Sequence, residues 1–157
     1  MQLTSSDFTQ NGAIPAHFTC EGENISPEFS WKEVPKDTKS FALIMHDPDA
    51  PRAGGFTHWL LYNIPGDKGG IEPGVPNREE VRGTGMQGRN DAEEIGYMGP
   101  CPPSGRHRYF VRLFALDANI KLGPGATHSE LTDAMEGHIF DRAELMGTYQ
   151  KKSVRAA

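Results

Sequence analysis

Gly99-Pro100-Cys101-Pro102-Pro103-Ser104-Gly105-Arg106-His107-Arg108-Tyr109-Phe110-Val111-Arg112-Leu113-Phe114-Ala115-Leu116-Asp117 is a proline-dense loop that runs straight into a strand. Proline fixes φ and removes a backbone donor, so the first half of this stretch holds its side chains in place rather than flexing. In the second half, Tyr109, Val111, Leu113 and Ala115 fall on one face of an extended chain, and Phe110, Arg112, Phe114 and Leu116 on the other. That makes 107–117 the strongest strand in the chain. An upstream segment has the same construction: Asp47-Pro48-Asp49-Ala50-Pro51, followed by His58-Trp59. Each combines a strand edge, a stiff turn and polar side chains, which is how distant parts of a chain build a small pre-formed pocket.

Working outward, 40–46 carries apolar groups on both faces and reads as a central strand. The stretches 58–64 and 143–149 are further strand candidates, with shorter ones at 3–5 and 29–31. Residues 66–96 are polar and glycine-rich without a steady period, which predicts a long ordered loop or a set of short elements. One helix is expected, over 127–138. Thr127 and Glu130 form a Thr-x-x-Glu capping box, and Leu131, Ala134, Met135 and His138 recur at helical spacing. The end of the chain, 151–157, reads as a frayed tail.

Composition agrees with a mainly β fold. Eighteen glycines and twelve prolines in 157 residues punctuate the chain every few positions. The length fits one domain, taken here as 1–150, with enough residues to bury a core. A net charge of −5 with 24% charged residues argues against a broad nucleic-acid surface but leaves room for a local anion site. No apolar run approaches the roughly 20 residues of a membrane span. The start, Met1-Gln2-Leu3-Thr4-Ser5-Ser6-Asp7, has neither basic flank nor apolar core, so a cytoplasmic protein is expected. Two cysteines are too few for a disulfide framework or a zinc cage.

Cys20-Glu-Gly-Glu-Asn-Ile-Ser-Pro27, Trp31, Asp47-Pro-Asp-Ala-Pro51, His58-Trp59, Asn63, Asn90-Asp91, Gly96-Tyr97 and the 99–109 loop, taken together and in this order, resemble the phosphatidylethanolamine-binding protein family, also called Raf-kinase-inhibitor-like proteins. The resemblance covers nearly the whole chain, and the pairing of Cys20 with Cys101 looks like its bacterial and archaeal branch. It implies an antiparallel β-sandwich with a few peripheral helices and an anion pocket that takes phosphate groups. Carried over by motif, the pocket positions are Asp47, Asp49, His58, Gly99, Pro100, His107 and Tyr109. The chain departs from the family pattern in two places. Ala92-Glu93-Glu94 stands where an aromatic residue and a glycine usually follow Asn-Asp, and the chain ends soon after Tyr149, without the C-terminal helix that borders the pocket in animal members. A more open site is therefore expected.

The chemistry of these residues fits that implication. A phosphate needs several convergent donors in a concave, partly dry site. His58 and His107 each offer an imidazole N–H, Tyr109 a hydroxyl, and the backbone near Gly99 close approach and further N–H groups. Asp47 is suited to orient a histidine, favour its cationic form, or accept from an ethanolamine ammonium. Plainer roles stand beside these. His58 also fits a buried strand histidine bonded to a carbonyl, and Asp49 a residue that caps its own turn. Asp47 and Asp49 with the histidines do not match a catalytic zinc set. His17, His46, His128 and His138 match no site motif, and Arg108 reads more simply as an outward-facing charge than as an anion ligand. Cys20 and Cys101, 81 positions apart, fit two buried thiols, a disulfide, or a nucleophilic Cys101 beside His107.

Three functions follow. The first is a non-enzymatic binder of a phosphorylated small molecule or protein phosphogroup, for which the family implies kinase-pathway or protease partners and a homodimer. The second is a protease inhibitor acting through a surface loop. The third is a hydrolase or phosphotransferase using Asp47, His58 and His107, against which stands the lack of a Gly-x-Ser-x-Gly elbow, a Walker loop or any other cofactor motif.

Overall fold

The computed structural model describes residues 1–152. Among these residues there are nine strands and one helix: β1 (Gln2–Thr4), β2 (Phe29–Lys32), β3 (Ser40–Asp47), β4 (Phe56–Pro65), β5 (Gly70–Ile71), β6 (Glu80–Val81), β7 (Gly85–Gln87), β8 (His107–Leu116), α1 (His128–Met135) and β9 (Ile139–Tyr149). A single 3-10 turn spans Ala16–Phe18. The strands form a three-stranded sheet, β1-β2-β5, and a six-stranded sheet, β6-β7-β4-β3-β8-β9, with antiparallel neighbours throughout.

The two-sided apolar pattern of β3 and β8 puts them at the centre of the large sheet. One face of that sheet carries Phe41, Leu43, Met45, Tyr109, Val111, Leu113 and Ala115, which pack with Leu3, Phe29 and Trp31 of the small sheet. Trp31 lies 5.2 Å from Phe41 and Phe29 lies 6.4 Å from Trp59, ring centre to ring centre. The other face carries Ala42, Ile44, Leu60, Tyr62, Phe114 and Leu116, and is covered by Leu131 and Met135 of α1 with Ile120 and Ala126 of the preceding loop. The antiparallel sandwich and the face assignment of β8 are as the sequence implied.

Boundaries differ where packing outvotes local pattern. The helix is shorter than 127–138: Thr127 is its cap, the capping box with Glu130 is formed, and Gly137 has a positive φ of 82° that ends it. His138 consequently leaves the helical stripe and bonds Asp117 through Nδ1, 2.8 Å. The last strand starts at Ile139, earlier than 143, because β8 continues to pair with it as far as Leu116, past a bulge that leaves Phe140 unpaired. The 66–96 stretch is a set of short elements, β5 to β7. It is pinned by buried Gln87, whose amide donates to the Pro76 and Arg78 carbonyls and whose oxygen accepts from Trp59 Nε1. Of the expected tail, 153–157 lie outside the described residues. No helix among the described residues is long and apolar enough to cross a membrane.

Candidate functional site

The end of β3 and the starts of β4 and β8 lie at one edge of the large sheet. There the ladder is irregular: Met45 pairs with Trp59, but His46 pairs with Thr57, leaving His58 as the extra residue of a bulge. A bulge breaks the two-residue alternation and re-aims a side chain. Thr57 therefore joins His46 on the α1 side of the sheet. His58 turns to the opposite side, where its ring meets Tyr109 edge-on at 5.2 Å.

His58, Asp47, His107 and Tyr109 line one cavity of about 300 Å³. All four are buried. Its remaining wall is largely apolar, made by Ala50, Pro51, Phe56, Met98, Pro102 and Pro103, and the exposed Arg52 and Cys101 reach it from the surface. The proline loops read from the sequence thus meet across a single space.

The hydrogen bonds fix what these groups present. Asp47 accepts twice, from the Asp49 N–H through Oδ1 at 2.7 Å and from His107 Nδ1–H through Oδ2 at 2.7 Å. His58 Nδ1–H donates to the Met98 carbonyl at 2.6 Å. A carbonyl only accepts, so the proton of neutral His58 sits on Nδ1 and Nε2 is left with a lone pair. Burial lowers the His58 pKa, outweighing the Met98 bond and the Asp47 charge, which raise it. Tyr109 is the one buried side-chain polar group without a hydrogen-bond partner among the described residues. Burial pushes its pKa upward, so it stays a phenol with a proton to give.

Five of the seven positions carried over by motif, Asp47, His58, Gly99, His107 and Tyr109, line this cavity; Asp49 and Pro100 do not. The turn at 47–49 is capped by Asp47, not by Asp49. Asp49 reaches instead to Arg108, accepting from its backbone N–H and from both Nε and Nη2 at 2.9–3.0 Å. Hydrogen bonding to the Arg108 guanidinium holds the Asp49 carboxyl down to about 2. Arg108 is thereby occupied. The Pro100 carbonyl accepts from the Cys20 N–H at 3.1 Å. The expected donor at Gly99 is also taken, by Asn24 Oδ1 at 2.8 Å. Gly99 is required for closeness: a Cβ there would lie 2.3 Å from both the Phe18 carbonyl oxygen and Asn24 Oδ1.

Cys20 and Cys101 form a disulfide, so Cys101 carries no free thiol and is no nucleophile here. Together with the Cys20–Pro100 and Gly99–Asn24 bonds, it ties the wall loop to the 16–24 segment. No group of three or more His, Cys, Asp and Glu among the described residues is arranged to hold a metal ion. The 90–94 turn does not line the cavity. Asn90 Oδ1 accepts from the N–H groups of Ala92 and Glu94, and Asp91 Oδ2 from that of Thr57. Sequence reasoning passed over Arg52 and Met98. Arg52 directly follows the Asp-Pro-Asp-Ala-Pro motif, and its guanidinium lies over Phe56 at 5.6 Å. Nothing in the sequence marks the carbonyl of Met98 as the group that sets the His58 tautomer.

A two-sheet fold whose paired rigid loops enclose a small polar-floored cavity defines a class of compact ligand-pocket proteins, and comparison with known proteins makes the class specific. The family model described as phosphatidylethanolamine-binding protein matches residues 4–150, and the chain belongs to that family, in its bacterial and archaeal branch. A UPF0098 protein of Methanothermobacter thermautotrophicus is 49% identical over 96% of this chain and 99% of its own length. One from Aquifex aeolicus is 44% identical, over 96% and 89%. The crystal structure of a homologue from Chlamydia trachomatis superposes with a TM-score of 0.89 at 41% identity, covering 96% of this chain and 97% of that one. That of E. coli YbcL, described as a new member of the mammalian family, gives 0.88 at 30% identity, covering 96% and 98%.

Proposed function

We propose that this protein is a non-catalytic binder that holds the phosphate group of a small molecule or of a phosphorylated protein in the cavity between the 47–52 and 98–103 loops. The observation that carries the reading is the buried Tyr109 hydroxyl without a partner, beside two histidines in a cavity large enough for a head group. A buried polar group left unpaired costs free energy, on the order of 1–3 kcal/mol, so a site that keeps one is suited to a ligand that completes it. Arg52 adds a cation at the rim, and Asp47 an acceptor for an ammonium carried by the same ligand. Family membership supports a binder of this kind. Against turnover, Cys101 is tied up in the disulfide, and Asp47 and His58 are each already bonded to a fixed partner.

The test is an NMR titration of the histidine side chains with phosphoethanolamine, with inorganic phosphate alongside. Saturable shifts confined to His58 and His107, and lost in His58→Ala and His107→Ala, are expected. No shift up to millimolar ligand would reject the phosphate site. Stronger binding of phosphoethanolamine than of phosphate, abolished in Asp47→Asn, would assign the ammonium to Asp47.

A further inference from the structure

One wall of the cavity hangs from a single attachment. Up to Pro100 the chain is held by hydrogen bonds: Met98 N–H donates to the His58 carbonyl at 3.1 Å, Gly99 N–H to Asn24 Oδ1 at 2.8 Å, and the Pro100 carbonyl accepts from the Cys20 N–H at 3.1 Å. The next fixed point is His107, which pairs with Tyr149 in the β8–β9 ladder and bonds Asp47. Between them, among the described residues, 101–106 take part in no hydrogen bond and no ion pair. Pro102 is buried, whereas Cys101, Pro103, Ser104, Gly105 and Arg106 are exposed. Cys101, Pro102 and Pro103 nevertheless wall the cavity, and the bond to Cys20 is what keeps them there. Cys20 itself is fixed independently. Beside it, Thr19 N–H and Oγ1 both bond the Ala16 carbonyl, Asn24 N–H the His17 carbonyl and the Tyr97 hydroxyl the Phe18 carbonyl. Pro102 and Pro103 fix two φ angles, so this wall moves as a unit. Gly105, at a φ of 70° with nothing within 4 Å of where a Cβ would stand, gives it a turning point at its far end.

We propose that Cys20–Cys101 is a site of thiol–disulfide exchange that gates the cavity: a dithiol reductant opens the bond, 101–106 swings out as a stiff flap, and the phosphate ligand is held tightly only by the oxidised protein. Both cysteines are exposed, so the thiolate of a reductant reaches the bond from solvent. That thiolate attacks one sulfur, a mixed disulfide forms, and the other cysteine leaves as a thiolate and is protonated. The second thiol of the reductant then attacks the mixed disulfide, closes the reductant's own disulfide and releases the remaining cysteine. Two electrons and the two thiol protons pass from the dithiol to Cys20 and Cys101.

Reduction changes the cover of the cavity and leaves its polar floor. Asp47, His58, His107 and Tyr109 belong to β3, β4 and β8, whose pairing does not involve the disulfide. Asp47 stays bonded to the Asp49 N–H and to His107, and Arg52 stays on the 47–56 loop at the rim. With the flap out, water reaches this floor and weakens charge-assisted hydrogen bonds to a bound phosphate. Binding must also order the flap again, and fixing even one loop residue costs about tenfold in affinity. A second mark needs no ligand. Burial is the largest influence on His58 and lowers its pKa. An open wall relieves that burial, so the pKa of His58 rises toward the ordinary value of about 6.5. The charges that act on it, Asp47, His46 and Asp91, keep their places in both forms.

The affinity part of this inference rests on the reading of the cavity as a phosphate site; the His58 part does not. Both are measured on the full chain, oxidised, reduced with excess dithiothreitol, and reoxidised: O-phosphoethanolamine binding by calorimetry and the His58 pKa by NMR. Iodoacetamide labelling read by mass counts the free thiols, and far-UV circular dichroism reports the fold. Expected on reduction are binding weaker by about tenfold or more, a higher His58 pKa and an unchanged dichroism spectrum, all reversed on reoxidation. The Cys20→Ser, Cys101→Ser double variant should match the reduced protein with or without reductant. Unchanged affinity after full reduction would overturn the gate and leave the phosphate site standing. A loss of affinity with no shift of His58 would overturn the flap as its cause. A bond that resists excess dithiothreitol in the folded protein, or a fold that is lost with the bond, would overturn the proposal as well. If phosphoethanolamine binds neither form, the phosphate reading fails, and His58 then decides the flap: a raised pKa supports it and an unmoved one rejects it.

Discussion

The Tyr109 hydroxyl is buried without a partner, and its worth in the empty protein and in the complex should have opposite signs. Removing an unpaired buried hydroxyl relieves its desolvation, so Tyr109→Phe is expected to leave unfolding free energy unchanged or to raise it by up to about 1 kcal/mol. A hydrogen bond to a charged ligand is worth about 1.5–3 kcal/mol, so the same variant should bind phosphoethanolamine ten- to hundredfold more weakly. Urea unfolding and ligand titration on one preparation measure both. A variant that is destabilised but binds normally would place the hydroxyl in the framework and not in the site. His58 teaches a related lesson. Buried and bonded to a carbonyl, it satisfies the plain structural reading, and through its other nitrogen it faces the cavity; the two readings exclude each other only when a histidine is treated as a single group.

Among the elements, the 90–94 turn shows how a local departure from the family pattern is absorbed. Its Asn90 side chain supplies the hydrogen bonds of the turn, so the turn forms with Ala92-Glu93-Glu94 in place. The cost falls on Glu93, which sits at a φ of 62°, in the left-handed region where glycine is free of strain. Glu93→Gly should therefore stabilise the protein by about 1 kcal/mol, read as a higher urea midpoint with unchanged slope. Its backbone carbonyl, which accepts from Arg89, is kept by the substitution. A lower midpoint would mean that the glutamate makes a compensating contact through its side chain. The bulge in β4 is the element on which the site depends. It sends Thr57 into a chain with His46 and His128, at 3.0 and 2.7 Å, on one side of the sheet, and His58 into the cavity on the other.

For the molecule as a whole, two terms are global. The Cys20–Cys101 bond closes a loop of 81 residues, and the chain-entropy account gives such a cross-link roughly 4 kcal/mol. A Cys20→Ser, Cys101→Ser double variant should melt about 10 °C lower in the absence of reductant, and dithiothreitol should shift the wild type by a similar amount. Insensitivity of the melt to reductant would show that the surrounding hydrogen bonds hold the loop alone. The second term is pH. Burial lowers the pKa of His58 and, with His46 nearby, that of His128, so the unfolded chain takes up protons that the folded one refuses. Their stabilisation is complete above the unfolded value of about 6.5 and is lost as pH falls below it. Asp49, held near 2 by Arg108, adds a second loss as pH falls below the unfolded carboxyl value of about 3.8 toward 2. The urea midpoint should therefore drop from pH 7.5 to 5 and again below pH 4; a midpoint that rises on acidification would contradict the assignment.

By itself the sequence determined the β-rich class, the two buried faces of β3 and β8, the capping box of α1 and the two proline loops that wall the cavity. Each of these rests on periodicity or on the fixed φ of proline, which are properties of neighbouring residues. Through the family resemblance its motifs carry, it also implied one pocket of Asp47, Asp49, His58, Gly99, Pro100, His107 and Tyr109, of which Asp49 and Pro100 do not line the cavity. Only the tertiary structure decided what each of them offers. The bulge that turns His58, the Met98 carbonyl that takes its proton, the Asn24 side chain that occupies the Gly99 N–H, the Arg108 that draws Asp49 out of the cavity and the Cys20–Cys101 bond all join residues far apart in sequence. Hydrogen-bond partners and ladder register are set by which surfaces meet, and no local pattern encodes them.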